Sequence, residues 1–163
     1  MADKIKILMI DDEPDLCTLV KANLEETGEF EVVTTTQPQE AESLCLRENP
    51  NLILLDNIMP SRKGADIAKA LKGNADTKNI PIIMVSGKGE MVYSRKKGQF
   101  QWLPNNPLAV GRGQISDAKD AEGLAKSYGV DDYVSKPFKT ELLIEVIKDV
   151  LARRKPKDEE ENG

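Results

Sequence analysis

The chain has 163 residues, of which 39% are apolar and 31% charged, and its formal net charge is −5. That size and balance suit one globular domain with a single core, and the acidic balance argues against nonspecific binding to nucleic acid. Histidine is absent, which excludes Ser-His-Asp and Cys-His catalysis, histidine-ligated metals and a phosphohistidine carrier.

The N-terminus runs from MADKIKILMI directly into DDEPD. It lacks the long apolar segment and cleavage site of a signal peptide, and no apolar run is long enough to span a bilayer. A cytoplasmic location is therefore expected. KIKILMI (4–10) is a short apolar run ended by acids and predicts a buried strand. Pro14 opens a helix, Asp15 favours its dipole, and Leu16, Leu19, Val20 and Leu24 keep helical spacing until Gly28. EVVTTT (31–36) predicts a β-branched strand, PQEAESLCLREN (38–49) an amphipathic helix, and LILLD (52–56) a fully apolar strand.

After Gly64 the helical period returns in ADIAKALKG, and Pro81 opens a further apolar strand, IIMVS (82–86). Beyond an irregular stretch, a helix is predicted at 117–129 and a short strand, DYVSK, at 132–136. The closing helix, 139–154, carries Leu142, Leu143, Val146, Ile147, Val150 and Leu151 on one stripe. The charged tail, 155–163, reads as disordered. Cys17 and Cys45 fall inside helices and read as buried thiols, since a disulfide is not expected in a reducing compartment.

Strands thus alternate with helices, and the central strands are apolar on both faces. This predicts a doubly wound α/β domain with a parallel sheet covered on both sides. Ligands of such sheets bind beyond the carboxyl ends of the strands. Those ends hold Asp11, Asp12 and Glu13, then Asp56, then Ser86, then Lys136. Taken singly, the first two acids could cap a helix, Asp56 could form a turn before Pro60, Ser86 could be a turn hydroxyl and Lys136 a surface charge. Their joint placement at one edge, with apolar strand interiors, favours a shared site. Clustered carboxylates repel unless a cation lies between them. Oxygen donors without histidine or thiolate suit Mg²⁺, or Mn²⁺ in its place. A lysine and a hydroxyl beside them could hold phosphoryl oxygens while a central carboxylate attacks phosphorus.

ILMIDDEP, LILLDNIMP with Gly64, IIMVSG and DDYVSKPF, in this order, resemble the response-regulator receiver domains of two-component signalling. The resemblance covers about 4–87 and 116–153 and implies a flavodoxin-like five-stranded sheet of order 2-1-3-4-5. It implies Asp56 as phosphoacceptor. Asp12, Asp56 and the Ile58 carbonyl would bind Mg²⁺, with Asp11 acting through a metal-bound water. Lys136 would pair with the phosphoryl group or, before phosphorylation, with Asp56. Ser86 would swing to a phosphoryl oxygen and Tyr133 would change exposure with it, although an ordinary half-buried strand aromatic is an equal reading of Tyr133. Pro137 matches a cis Lys-Pro position.

The pattern departs from the family in one place. Ser86 and Lys136 are separated by an insertion at about 88–115 that holds Tyr93, Phe100, Trp102, Arg95, Lys96, Lys97 and Arg112. MVYSR and FQWLP around KKGQ predict a β-hairpin. It reads either as a decorative loop or as a partner-recognition surface. The receiver domain is expected at 1–154. With only a short tail after it, the chain is expected to work alone, as a monomer or weak dimer. It would take a phosphoryl group from a histidine kinase or phosphotransfer protein and signal by binding an unidentified downstream protein. It would catalyse only its own phosphorylation and dephosphorylation. A degenerate receiver that only binds partners is the alternative. A phosphohydrolase with an aspartyl-phosphate intermediate would need an acid two residues after Asp56, where Ile58 stands.

Overall fold

The structure is a computed structural model. It describes residues 3–57, 59–86, 89–94, 99–104 and 129–153, the backbone alone at 86, 89–94 and 99–104. Ile58, all but the last residue of the predicted helix 117–129, and the tail 155–163 lie outside the described residues.

The element order is β1 (Ile5–Ile10), α1 (Pro14–Glu26), β2 (Phe30–Thr35), α2 (Ala41–Glu48), β3 (Leu52–Asp56), α3 (Gly64–Lys72), β4 (Ile82–Ser86), β5 (Gly89–Ser94), β6 (Gln99–Pro104), β7 (Asp132–Ser135) and α4 (Thr140–Arg153). Five strands form one parallel sheet in the order β2-β1-β3-β4-β7. With β7 as its fifth strand, this is the expected 2-1-3-4-5 arrangement of the flavodoxin-like fold. Alternation along each strand divides the core in two. Leu8, Ile10, Ile53, Leu55, Ile82 and Met84 face α2 and α3. Ile7, Met9, Leu52, Leu54, Ile83 and Val85 face α1 and α4. Both faces are covered, which is why the inner strands read as continuous apolar runs.

Helix boundaries follow local chemistry. Pro14 occupies the first turn of α1, and Gly28 lies beyond its end at φ 80, a conformation that favours glycine. Asn49 ends α2 in the left-handed region at φ 45. The predicted helix over 38–49 is a 3₁₀ turn, Pro38–Glu40, followed by α2. The apolar stripe of α1 is Cys17, Val20 and Leu24, whereas Leu19 is 56% exposed. Leu19 sits about 100° round the helix from Val20, so it leaves the buried face. Cys17 and Cys45 are buried free thiols on opposite faces of the sheet.

The insertion contains an antiparallel hairpin, with Ser94 opposite Gln99 and Gly89 opposite Pro104. The connection is therefore 95–98, one residue earlier than the KKGQ turn read from the sequence. Despite the insertion, β4 and β7 pair from Ile83–Asp132 to Ser86–Ser135. Asp131 braces this join: its N–H donates to the Ile82 carbonyl at 2.7 Å, and its Oδ2 accepts from the Ile82 N–H at 2.9 Å.

Gly64 fixes the turn after β3. Its N–H donates to the Asn57 carbonyl at 2.9 Å. A Cβ at Gly64 would collide with the Asp56 carbonyl oxygen and lie 2.9 Å from the Asn57 Cα. Neither obstacle is a movable side-chain end, so Gly64→Ala must shift the backbone beside Asp56. We expect this substitution to lower stability by about 1–3 kcal/mol, the usual cost of overpacking. Urea denaturation measures it, and an unchanged midpoint would show that the turn relaxes freely.

Candidate functional site

All five parallel strands end at the same edge of the sheet. β1 delivers Asp11 and Asp12, β3 delivers Asp56, and β7 delivers Lys136. Each position follows from strand length and register. The Asp11 N–H continues the β1–β2 ladder by donating to the Thr35 carbonyl at 3.1 Å, and the Asn57 N–H extends β3 by donating to the Val85 carbonyl at 3.2 Å.

One carboxylate oxygen from each of Asp11, Asp12 and Asp56 lies within 4.8 Å of the other two. Asp11 and Asp56 are 1% and 3% exposed, while Asp12 is half-buried. Burial of two acids in mutual contact is unfavourable unless positive charge compensates them. Lys136 supplies part of it. Its Nζ lies 2.8 Å from Asp11 Oδ2, 3.6 Å from Glu13 Oε1 and 3.7 Å from Asp56 Oδ1. Burial lowers the pKa of the Lys136 ammonium. The touching Asp11 carboxylate, with the charges of Asp56, Asp11 and Glu13, more than reverses this and leaves it above the ordinary lysine value. Lys136 is therefore an ammonium at neutral pH.

The Lys136–Asp56 pair that the resemblance implies is present at 3.7 Å, and Asp11 is a second and closer partner at 2.8 Å. Asp11 does not cap α1 through its first-turn amides. Its Oδ1 accepts from the Glu13 N–H at 2.9 Å and so shapes the turn before the helix. Glu13, read from the sequence at the same strand edge, joins the charge cluster through Lys136. Cys17 reads from the sequence as core alone. Its Sγ donates to the Asp11 carbonyl at 3.4 Å, and burial, then the Asp11 charge, pushes the thiol up to about 11. Cys17 is thus a neutral thiol beneath the acids.

Three carboxylates against one ammonium leave an excess of negative charge at the strand edge, and each of the three acids offers a hard oxygen. That donor set fits a divalent ion such as Mg²⁺. Asp11, Asp12 and Asp56 are the side chains that could hold it. The expected Ile58 carbonyl lies outside the described residues. Ser86 ends β4 beside Asp56 and pairs in register with Ser135. Tyr133 is half-buried against the α2–α3 core. The Lys136–Pro137 peptide is cis. Among the described residues, no helix is long and apolar enough to cross a membrane.

The family model of the response regulator receiver domain matches residues 7–100. The phosphate regulon transcriptional regulatory protein PhoB of Rhizobium meliloti (strain 1021) is 32% identical over 151 residues, covering 93% of this chain and 54% of that protein. The chain spans about half the length of the curated relatives it matches. Among solved structures, the receiver domain of the Francisella response regulator 1452 superposes with a TM-score of 0.64 at 25% identity, covering 93% of this chain and all of that one. The Vibrio cholerae chemotaxis protein CheY4 superposes with a TM-score of 0.65 at 21% identity, covering 91% and 99%. The family match ends within the hairpin, yet the fold is completed C-terminal to it, where β7 takes its place beside β4 and brings Lys136 to the acids. By the family match, the strand order and the acid edge together, the chain belongs to the response regulator receiver domain family of two-component signalling.

Proposed function

We propose that this receiver accepts a phosphoryl group on Asp56 in a Mg²⁺-dependent reaction and signals through phosphorylation-dependent protein binding. The observation that carries the reading is the convergence of Asp11, Asp12 and Asp56 within 4.8 Å, with Lys136 paired to Asp11 and Asp56. A carboxylate oxygen of Asp56 forms a bond to phosphorus as the donor's bond to phosphorus breaks, and the donor leaves with the bonding electrons. Lys136 balances the charge carried by the phosphoryl oxygens, and Ser86 donates its hydroxyl to one of them. Asp12 and Asp56 would hold the ion, with Asp11 acting through a metal-bound water, and the ion would supply positive charge to offset the carboxylate and phosphoryl oxygens. The buried setting of Asp56 limits access of water to the product.

The phosphoryl donor is a sensor histidine kinase or a phosphotransfer protein, and the chain acts only on its own phosphoryl group. The added charge, about two units, biases a surface that includes β7 and α4, on which Tyr133 changes exposure. The output partner is a protein, met in the cytoplasm by a monomeric or weakly dimeric receiver. The hairpin β5–β6, whose first strand lies beside β7, contributes to that partner surface. Stand-alone operation belongs to this proposal. A native polypeptide of 18.0 kDa supports it, and one near twice that mass replaces it with a longer regulator.

Incubation with a small phosphodonor and Mg²⁺ is expected to add one phosphoryl group by mass spectrometry, and Asp56→Asn to add none. Equal labelling of the variant would defeat the assignment. In thermal unfolding, Mg²⁺ at about 100 times its Kd should stabilise the protein by about 2.7 kcal/mol. Asp12→Asn should raise the stability of the metal-free protein, because it relieves like-charge crowding, while shrinking the Mg²⁺ increment. A normal increment in that variant would place the ion elsewhere. Deletion of residues 90–113 should leave phosphorylation intact and weaken partner capture in the fluoroberyllate-bound state. Unchanged capture would make the insertion decorative.

A further inference from the structure

Ser135 carries an anomaly. Its side chain is wholly buried, and its hydroxyl has no hydrogen-bond partner among the described residues. Such a group destabilises the state that leaves it unsatisfied, and each instance calls for an explanation. Packing does not supply one. Ser135 closes a strand whose preceding inward residue, Val134, is a good strand former, and serine brings neither that propensity nor apolar volume. No turn needs its oxygen either, since the next peptide is held by Pro137 and by the ion pairs of Lys136.

Register identifies the missing partner. Ser86 of β4 is paired with Ser135 of β7, one step after Met84 pairs with Tyr133 and Val85 with Val134. Residues paired in a parallel ladder occupy the same register position on neighbouring strands, which are about 4.8 Å apart. The two serines thus stand side by side at the carboxyl edge. On one flank Asp56 ends β3, and on the other Lys136 comes directly after Ser135.

We propose that Ser135 is a positioning residue for Ser86. In the phosphorylated state it forms a hydrogen-bond chain that is absent from the resting one. The inventory of a hydroxyl makes this specific. Each serine has one O–H to donate and two lone pairs to accept with. When the Ser86 O–H donates to a phosphoryl oxygen, its own oxygen is left able only to accept. Ser135 then donates to Ser86, Ser86 donates to the phosphoryl group, and each bond polarises the next. No covalent bond changes in this step. The cost of the orphan is carried by the resting state and relieved in the active one, so Ser135 biases the equilibrium toward activation. This rests on the phosphoacceptor reading of Asp56.

The test is a double-mutant cycle on fluoroberyllate binding in Mg²⁺, measured by calorimetry in the full chain with Ser135→Ala, Ser86→Ala and the pair. Ser135→Ala should weaken fluoroberyllate binding about 3- to 10-fold, the range of one net hydrogen bond. It should leave the affinity for Mg²⁺ alone unchanged and the urea midpoint of the resting protein no lower, which a loss of packing would not do. In the Ser86→Ala background the same change should alter binding by less than about 2-fold, because the acceptor is gone. The inference is overturned if Ser135→Ala leaves binding unaltered, or weakens it equally in both backgrounds. A wild-type protein that does not bind fluoroberyllate overturns the phosphoacceptor reading and this inference with it. Wild-type binding with uncoupled serines overturns this inference alone.

Discussion

β3 lies between β1 and β4 and is covered by helices on both faces, and every one of its residues from Leu52 to Asp56 is buried. A strand in that position cannot slip by one residue, because slipping would exchange the contents of two filled cores. Leu54 would leave the α1–α4 side and Leu55 the α2–α3 side. The register that satisfies both cores also sets how far the strand reaches beyond them. Asp56 is the first polar residue after that reach. The carboxylate is therefore held by apolar packing several residues away, and its position is as fixed as the core itself.

The acid edge works in the opposite direction. Core packing stabilises, whereas gathering Asp11, Asp12 and Asp56 costs free energy that a protein built only for stability would avoid. Lys136 offsets part of this at 2.8 Å from Asp11. It does so from the far edge strand, reaching across β4 to the acids of β1 and β3. The charge balance of the site is therefore spread over β1, β3 and β7. The cluster thus ties β7, which carries Tyr133, to the two inner strands by charge as well as by the ladder.

Much of this was legible in the sequence for one reason. Apolar runs bounded by polar residues define strand ends, and parallel pairing puts all those ends together. Asp11, Asp12, Asp56 and Lys136 can thus be named as neighbours from the order of residues alone. What escaped depended on side-chain reach or on phase. Leu19 satisfies a helical count but lies off the buried stripe centred on Val20. Glu40 precedes α2 in a 3₁₀ turn because the chain enters through Pro38, and apolar spacing does not distinguish the two helix types. The preference of Lys136 for Asp11 over Asp56 is a difference between 2.8 and 3.7 Å in side-chain reach. Ser135, between a valine and a charged residue, resembles any strand terminus until its burial is seen.

The pairing of β4 with β7 across the insertion has a consequence for how such chains diversify. Ser86 and Ser135 remain ladder partners, and Asp131 still clasps Ile82, although the connection between the strands is longer than the five-stranded frame requires. Loop-closure entropy rises only with the logarithm of length, about 0.6 kcal/mol for each doubling. The cost of hosting extra chain at this point is thus small against the burial that closes the sheet. The gap between β4 and β7 is a permissive slot, a place where a new module can be acquired, exchanged or lost while the chemistry on either side keeps its geometry.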